Sequence, residues 1–230
     1  MKAEKDLSQK LAKFTLIAQP IFDATKREAS DFELLLHSKD SDQFPVAEFS
    51  YFIKNNANNE ILLNWFTCQL KTKFKKKPQE KFAINLEPQQ LFFQSTLNCL
   101  KELKIYHNRL SLEITERPPK LCTNVQSLVQ KLQQIKALGF ELTLDDVGTG
   151  MNTSSFVLEN AKFFKRIKFS LIKSNKRSWT SCLEQWFKLA QSRQIEFVIE
   201  GIDNPEKAQF ALSKGIYLQQ GFLWNALAAE

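Results

Sequence analysis

Asp145 and Asp146 stand side by side in Phe140-Glu-Leu-Thr-Leu-Asp-Asp-Val-Gly-Thr-Gly-Met-Asn-Thr-Ser-Ser155, which reads as a short strand ending in two carboxylates and running into a loop that holds Gly148, Thr149 and Gly150. Successive strand side chains turn to opposite faces, so adjacent aspartates share a pocket only where the strand ends and the backbone rotates. Taken alone, the pair reads as a solvated strand end with ordinary turn chemistry. Its weight comes from recurrence. Near the C-terminal ends of other apolar segments stand Gln19, Glu33, Asn85, Glu113, Glu200 and Gln220, and a further such segment carries Lys168.

If those ends meet at one mouth, Glu33, Glu113, Asp145, Asp146 and Glu200 repel one another unless cations or protons neutralise them. A set of oxygen ligands with one asparagine and no His or Cys suits hard ions, Mg²⁺ or Mn²⁺, rather than zinc. His37 and His107 are the only histidines, too few for a His-based metal site or triad. Two ions held about 3.5–4 Å apart by a bridging carboxylate activate water and stabilise in-line attack on a phosphodiester. Asp145 or Asp146 is the natural bridge. Lys168 would orient the water or offset developing negative charge, and Glu200 would ligate metal or act as general base; for Lys168 the alternative is a snorkelling surface side chain.

Such convergence needs strands that are parallel and closed. Strand segments are expected at Phe14–Phe22, Glu28–His37, Lys81–Glu87, Arg109–Glu116, Phe140–Leu144, Phe163–Ser170, Ile195–Ile202 and Tyr217–Phe222. Helical periodicity separates most of them. It runs from near residue 58 to Lys77, from Pro88 through Leu100, from a capping-box pattern at Thr123–Gln126 to Gly139, from Ser174 to Arg193, and from Asn204 to Gly215. Residues 1–13 read as a lead-in helix. About eight strands alternating with helices, without the long hairpin signals of a sandwich, favour an α/β fold: a single-domain (β/α)8 TIM-type barrel spanning 1–230, with an open doubly wound sheet as the structural alternative.

The composition is that of a globular domain, with hydrophobic residues at 43% and charged residues at 25%. No apolar signal core follows Met1 and no uninterrupted apolar run reaches the ~18 residues of a membrane span, so a cytoplasmic location and no membrane partner are expected. Cys68, Cys99, Cys122 and Cys182 form no Cys-x-x-Cys pair, which excludes a zinc ribbon or a thioredoxin-like motif. The net charge of +7 favours acidic partners or substrates. The basic run Lys71–Lys77 coincides with a helix end and has only Phe74 as an aromatic platform, so it reads as a solvated face rather than a DNA-binding surface.

Leu112-Glu-Ile-Thr-Glu116, Leu144-Asp-Asp-Val-Gly-Thr-Gly150 and Glu200-Gly-Ile-Asp203 followed by Gln220-Gly221 resemble, in order and approximate spacing, the EAL domain, the bacterial cyclic di-GMP phosphodiesterase family. The resemblance spans nearly the whole chain, from Gln19-Pro20 onward. It implies a barrel with one antiparallel strand, two Mg²⁺ or Mn²⁺ ions, and hydrolysis of cyclic di-GMP to linear pGpG. By the same resemblance, Glu33, Asn85, Glu113, Asp145 and Asp146 match metal ligands, and Lys168, Glu200 and Gln220 match the remaining catalytic-site positions. Gln19, His37 and Gln220 fall to substrate binding. Glu116 would anchor the loop Gly148-Thr149-Gly150, and that loop a homodimer contact.

Two departures bear on function. The signature Glu-Ala-Leu is Glu33-Leu34-Leu35, with His37 where the resemblance implies a phosphate-binding arginine, and an imidazole does not reproduce a bidentate guanidinium clamp. The usual Lys-Ile-Asp is Lys168-Phe169-Ser170, one carboxylate fewer. The expectation is therefore a cyclic di-GMP phosphodiesterase, the alternative being a weak or inactive domain that binds the nucleotide or a regulatory protein partner.

Overall fold

The computed structural model describes residue 7 and residues 9–120, 124–173 and 179–228. Eight strands close into a barrel in sequence order: β1 (Phe14–Asp23), β2 (Glu28–Ser38), β3 (Phe82–Leu86), β4 (Leu110–Ile114), β5 (Glu141–Leu144), β6 (Phe164–Ser170), β7 (Glu196–Glu200) and β8 (Leu218–Gln220). Helices α1 (Val46–Phe52), α2 (Asn56–Lys76), α3 (Gln94–Leu103), α4 (Val125–Ala137), α5 (Ser154–Asn160), α6 (Trp179–Ser192) and α7 (Pro205–Ser213) accompany them. The closed barrel, not the open sheet, is the fold. Of the lead-in helix expected over 1–13, residues 7 and 9–12 are helical and residues 1–6 lie outside the described residues.

β1 is antiparallel to both β2 and β8, while every other neighbouring pair is parallel. The reversal starts in a tight turn. Asp23 Oδ1 accepts from the Thr25 N–H at 2.9 Å, the Thr25 hydroxyl at 2.6 Å and the Lys26 N–H at 3.2 Å. Arg27 adopts φ 61°. Such an Asx turn folds the chain straight back on itself. The C-terminal end of β1 thus lies at the opposite end of the barrel from those of the other strands, which corrects the reading of Gln19 as a strand-end residue. It sits mid-strand, opposite Glu33.

Two further expectations change. The helix opening at Pro88 is two pieces, a 3-10 turn over Pro88–Phe92 and then α3, and α1 carries no periodicity long enough to read. The cap of α4 is Asn124, whose side chain accepts from the Gln126 N–H at 2.8 Å; Thr123 lies outside the described residues, as do Cys122 and residues 174–178 ahead of α6.

The β1–β2 hairpin overhangs the shorter β3, which pairs with β2 only at Phe32–Leu34. Its free part must bury its apolar side elsewhere. Phe14 and Leu36 join Leu7, Phe49, Phe52, Ile53, Leu62 and Phe66 in a second core beneath α1 and α2, separate from the main core around the barrel. That overhang becomes one wall of the cleft described below.

The barrel interior is polar at two levels. β2 and β6 lie on opposite sides of the eight-strand ring, so contacts between them cross the interior. Arg166 Nη1 meets Asp31 Oδ2 at 2.8 Å, and its Nε and Nη2 donate to Glu196 Oε2 at 3.1 and 3.0 Å. Two residues further along the same two strands, and so on the same faces, Lys168 meets Glu33. Breaking a buried pair from one side costs far more than the pair's net worth. Arg166→Met should therefore lower the unfolding free energy by about 3–5 kcal/mol in a urea titration, and Arg166→Met with Asp31→Leu should recover most of it. A single variant within about 1 kcal/mol of wild type would rule out this bracing role.

Candidate functional site

Lys168 is the centre of the upper level. Its ammonium lies 2.7 Å from Glu33 Oε2, 2.7 Å from Glu113 Oε2, 2.7 Å from Glu200 Oε1 and 3.7 Å from Asp145 Oδ1. β2, β4 and β7 supply three of these acids and Asp145 directly follows β5, and the lysine is fully buried among them. The snorkelling alternative is therefore excluded. Asn85 Nδ2 donates to Glu33 Oε1 at 2.5 Å, and Gln220 Nε2 donates to Glu33 Oε2 at 2.7 Å and to Gln19 Oε1 at 2.9 Å. Although β1 is reversed, Gln19 reaches the same cluster through its register with Glu33.

One ammonium cannot neutralise four carboxylates. Burial disfavours the Lys168 charge, yet the surrounding acids outweigh it and raise its pKa well above the ordinary value. The acids divide. Burial pushes Glu33 up, but Lys168 and the hydrogen bonds from Gln220 and Asn85 prevail and hold it below its usual range. Burial and the neighbouring Glu33 charge drive Glu113 well above the carboxylate range. Burial, only partly offset by Lys168, raises Asp145 to about 7 and also raises Glu200. Lys168, with Lys173 acting on Asp145, does not offset all four acids, so the charged forms of Glu113, Asp145 and Glu200 stay disfavoured; a further cation would favour them.

The chain turns sharply after Asp145. Asp146 adopts φ 46°, a left-handed conformation that aspartate tolerates better than most residues, and its carboxylate leaves the Lys168 cluster for the Lys173 ammonium. Burial and the adjacent Asp145 charge raise Asp146 to about 6 in spite of Lys173. Lys173 also donates to Glu116 Oε1 at 3.1 Å. Ligand oxygens of Glu116, Asp145 and Asp146 all lie within 4.8 Å of one another.

The loop that follows is held mainly by backbone. The Thr149 hydroxyl and N–H donate to the Asp146 carbonyl at 2.7 and 3.2 Å, the Gly148 N–H donates to the Asn152 carbonyl at 2.9 Å, and the Met151 N–H donates to the Glu116 carbonyl at 2.9 Å. Gly150, at φ +48°, leaves no room for a side chain, since a Cβ would lie 2.1 Å from the Glu116 carbonyl oxygen. The expected tie between Glu116 and this loop thus runs through the Glu116 carbonyl, which leaves its carboxylate for Lys173.

Two cavities flank the acids. One of about 240 Å³ is lined by Glu33, Asn85, Asp145, Glu116, Arg117 and Lys173, with Phe44, Phe49 of α1 and Phe66 of α2 as its apolar wall. The other, of about 640 Å³, is lined by Gln19, Ser170, Glu200, Gln220, Phe222 and Asn225. Leu35 and His37 border both. His37 touches none of the acids; its Nδ1 lies 3.2 Å from Asp42 Oδ1.

Several buried oxygens at the cluster lack a hydrogen-bond donor among the described residues: Asn85 Oδ1, Glu113 Oε1, Asp145 Oδ1 and Gln220 Oε1. Buried acceptors seldom go unmatched, and a hard cation satisfies such a set. The residues present therefore fit the divalent ions expected from the sequence. Lys173, and Arg117 paired with Glu87 at 3.1 Å on the rim, were not picked out by sequence reasoning. Lys173 follows a strand end with no periodicity or motif to mark it, whereas Arg117 directly follows Leu112–Glu116.

Comparison with known proteins gives a consistent result. Residues 3–226 match the family model of the EAL domain. The cyclic di-GMP phosphodiesterase TpdA of Vibrio parahaemolyticus is 22% identical over 93% of this chain and 37% of its own length. The probable cyclic di-GMP phosphodiesterase PdeG of Escherichia coli is 33% identical over 77% of this chain and 36% of its own. The chain thus spans about a third of the length of these relatives. Among solved structures, the PaMucR phosphodiesterase in complex with c-di-GMP superposes with a TM-score of 0.74 at 21% identity, covering 97% of this chain and 96% of that one. A manganese and cy-diGMP complex of Klebsiella pneumoniae BlrP1 superposes at 0.74 with 22% identity over 92% of this chain and 55% of that one. These likenesses show a shared fold, and among the described residues no helix is long and apolar enough to cross a membrane. With the family model covering residues 3–226, the chain belongs to the EAL domain family.

Proposed function

We propose that this chain is a divalent-metal-dependent phosphodiesterase that opens cyclic di-GMP to linear pGpG. The observation that carries this reading is the set of unmatched buried oxygens on Asn85, Glu113 and Asp145, gathered around Lys168 between two cavities. The names of TpdA and PdeG as cyclic di-GMP phosphodiesterases support the choice of substrate. Glu33, Asn85, Glu113 and Asp145 would hold one Mg²⁺ or Mn²⁺, and Asp145 with Asp146 the second. Bound there, the ions supply Lewis-acid polarisation of the phosphoryl oxygens and lower the pKa of water.

The chain's own residues do the rest. Glu200, 18% exposed and open to the larger cavity, accepts the proton of the water that adds to phosphorus. Lys168 fixes that carboxylate at 2.7 Å and offsets the negative charge that builds on the phosphoryl group as the P–O3′ bond breaks. Gln19 and Gln220, bonded to each other, present amide groups to the nucleotide from the larger cavity. His37, where both cavities meet, faces the phosphate. Purified protein with Mn²⁺ should convert cyclic di-GMP to pGpG, read by chromatography of the products, and Glu33→Gln should cut the rate by about a hundredfold or more while the protein stays folded. Absence of pGpG from the wild type would overturn the enzyme reading.

One feature favours a second reading, a domain that binds the nucleotide or a protein partner with little turnover: His37 is engaged by Asp42 at 3.2 Å and offers no bidentate clamp. If the enzyme reading holds, His37→Arg should lower KM for cyclic di-GMP by about tenfold, the worth of one charge-assisted contact, with kcat little changed. A KM that is unchanged or raised would remove residue 37 from the phosphate contact.

A further inference from the structure

Lys173 stands apart from the machinery described so far, and its position has a consequence for how the centre loads. It follows the end of β6 in a turn that Ser170 helps to close, the Lys173 N–H donating to Ser170 Oγ at 3.3 Å. The turn sends its side chain back over the mouth, where the ammonium bonds Asp146 and Glu116 together. On this side of the centre the strand end offers a hydroxyl at Ser170 and no acid, so Glu116, Asp145 and Asp146 are the carboxylates at hand. Two of the three, Asp146 and Glu116, already share a hydrogen-bonded lysine charge.

The contrast with Lys168 is informative. Lys168 is sealed in the barrel and cannot leave. The Lys173 side chain is 49% exposed, and it borders both the 240 Å³ cavity beside Asn85 and Asp145 and a separate cavity of about 300 Å³ lined by Asp146, Gly148, Ser170, Cys182 and Trp186. It is a tethered cation with space on either side of the acids it neutralises.

We propose that Lys173 is a positioning residue that acts as a built-in competitor for the second divalent ion, so that the two halves of the centre load unequally. The inference rests on the metal-dependent reading above. An ion enters at Glu33, Asn85, Glu113 and Asp145 without displacing Lys173. A second ion at Asp145 and Asp146 must first expel the ammonium into water, losing its bonds to Asp146 and Glu116. Two-metal chemistry in this chain is then gated by the divalent-ion concentration at which Lys173 gives way.

The test is a Mn²⁺ titration of the full chain without nucleotide, with free aquo-Mn²⁺ followed by electron paramagnetic resonance, so that no turnover is needed. Wild type should bind one ion tightly and a second at least about tenfold more weakly, the scale of a nearby charge screened by solvent. Lys173→Met, which keeps the length and removes the charge, should tighten the second ion by about tenfold and leave the first unchanged, and Lys173→Arg should restore the weak second site. Circular dichroism establishes that each variant is folded. Equal second-site affinities in wild type and Lys173→Met would overturn the proposal while leaving the metal-dependent reading intact. Failure of every protein to bind Mn²⁺ would overturn both.

Discussion

The structure of this mouth depends on one buried ammonium held among four carboxylates. Lys168 is the only cation inside the upper barrel among the described residues, and Glu33, Glu113 and Glu200 each approach it to 2.7 Å. A single positive charge against that many acids disfavours their charged forms, and this is the property on which the proposed metal centre rests. The 2.7 Å ion pairs from Lys168 to Glu33, Glu113 and Glu200 tie β2, β4 and β7 to β6 at this level. The hub is therefore both the structural brace of the barrel mouth and the reason the mouth can be a metal centre. Below it, Arg166 repeats the device with two acids, Asp31 and Glu196.

The geometry of the barrel turns this charge into a cleft. The β1–β2 hairpin extends past β3, and Leu34–His37 of β2 line the cleft beside the acids together with Phe44, Phe49 of α1 and Phe66 of α2, which form its apolar wall. A strictly alternating parallel barrel would lack that wall. The reversal also moves Gln19 from a strand end to mid-strand, where register with Glu33 and a bond to Gln220 return it to the site. On the opposite side, the left-handed turn at Asp146 parts two adjacent carboxylates, one to Lys168 and the other to Lys173.

Much of this was legible in the sequence, for a physical reason. A carboxylate inside or at the end of an apolar strand is costly unless it is used, so Glu33, Glu113, Asp145 and Glu200 stand out against their neighbours and can be gathered once the alternation of strands and helices suggests a barrel, although Glu33 proves to lie mid-strand, opposite Gln19. The centrality of Lys168 was not legible, because a lysine in a strand is as compatible with a solvated tip as with burial until its partners are placed. Asp31 and Arg166 are 135 residues apart, and only barrel closure brings them together. The direction of β1 is set by a short Asx turn at Asp23, which leaves the strand's own pattern unchanged. Lys173 lies beyond any periodic element, and nothing local distinguishes it from the many surface lysines of a chain of charge +7.

The proposed metal centre requires that the unmatched oxygens around Lys168 take an ion. Anomalous diffraction from crystals of the protein soaked in Mn²⁺ tests it most directly, because the manganese signal locates the ion without reference to activity. The account predicts a strong peak bounded by Glu33, Asn85, Glu113 and Asp145, with Lys168 still buried beside it. Mn²⁺-saturated crystals with no peak among those four residues would contradict it.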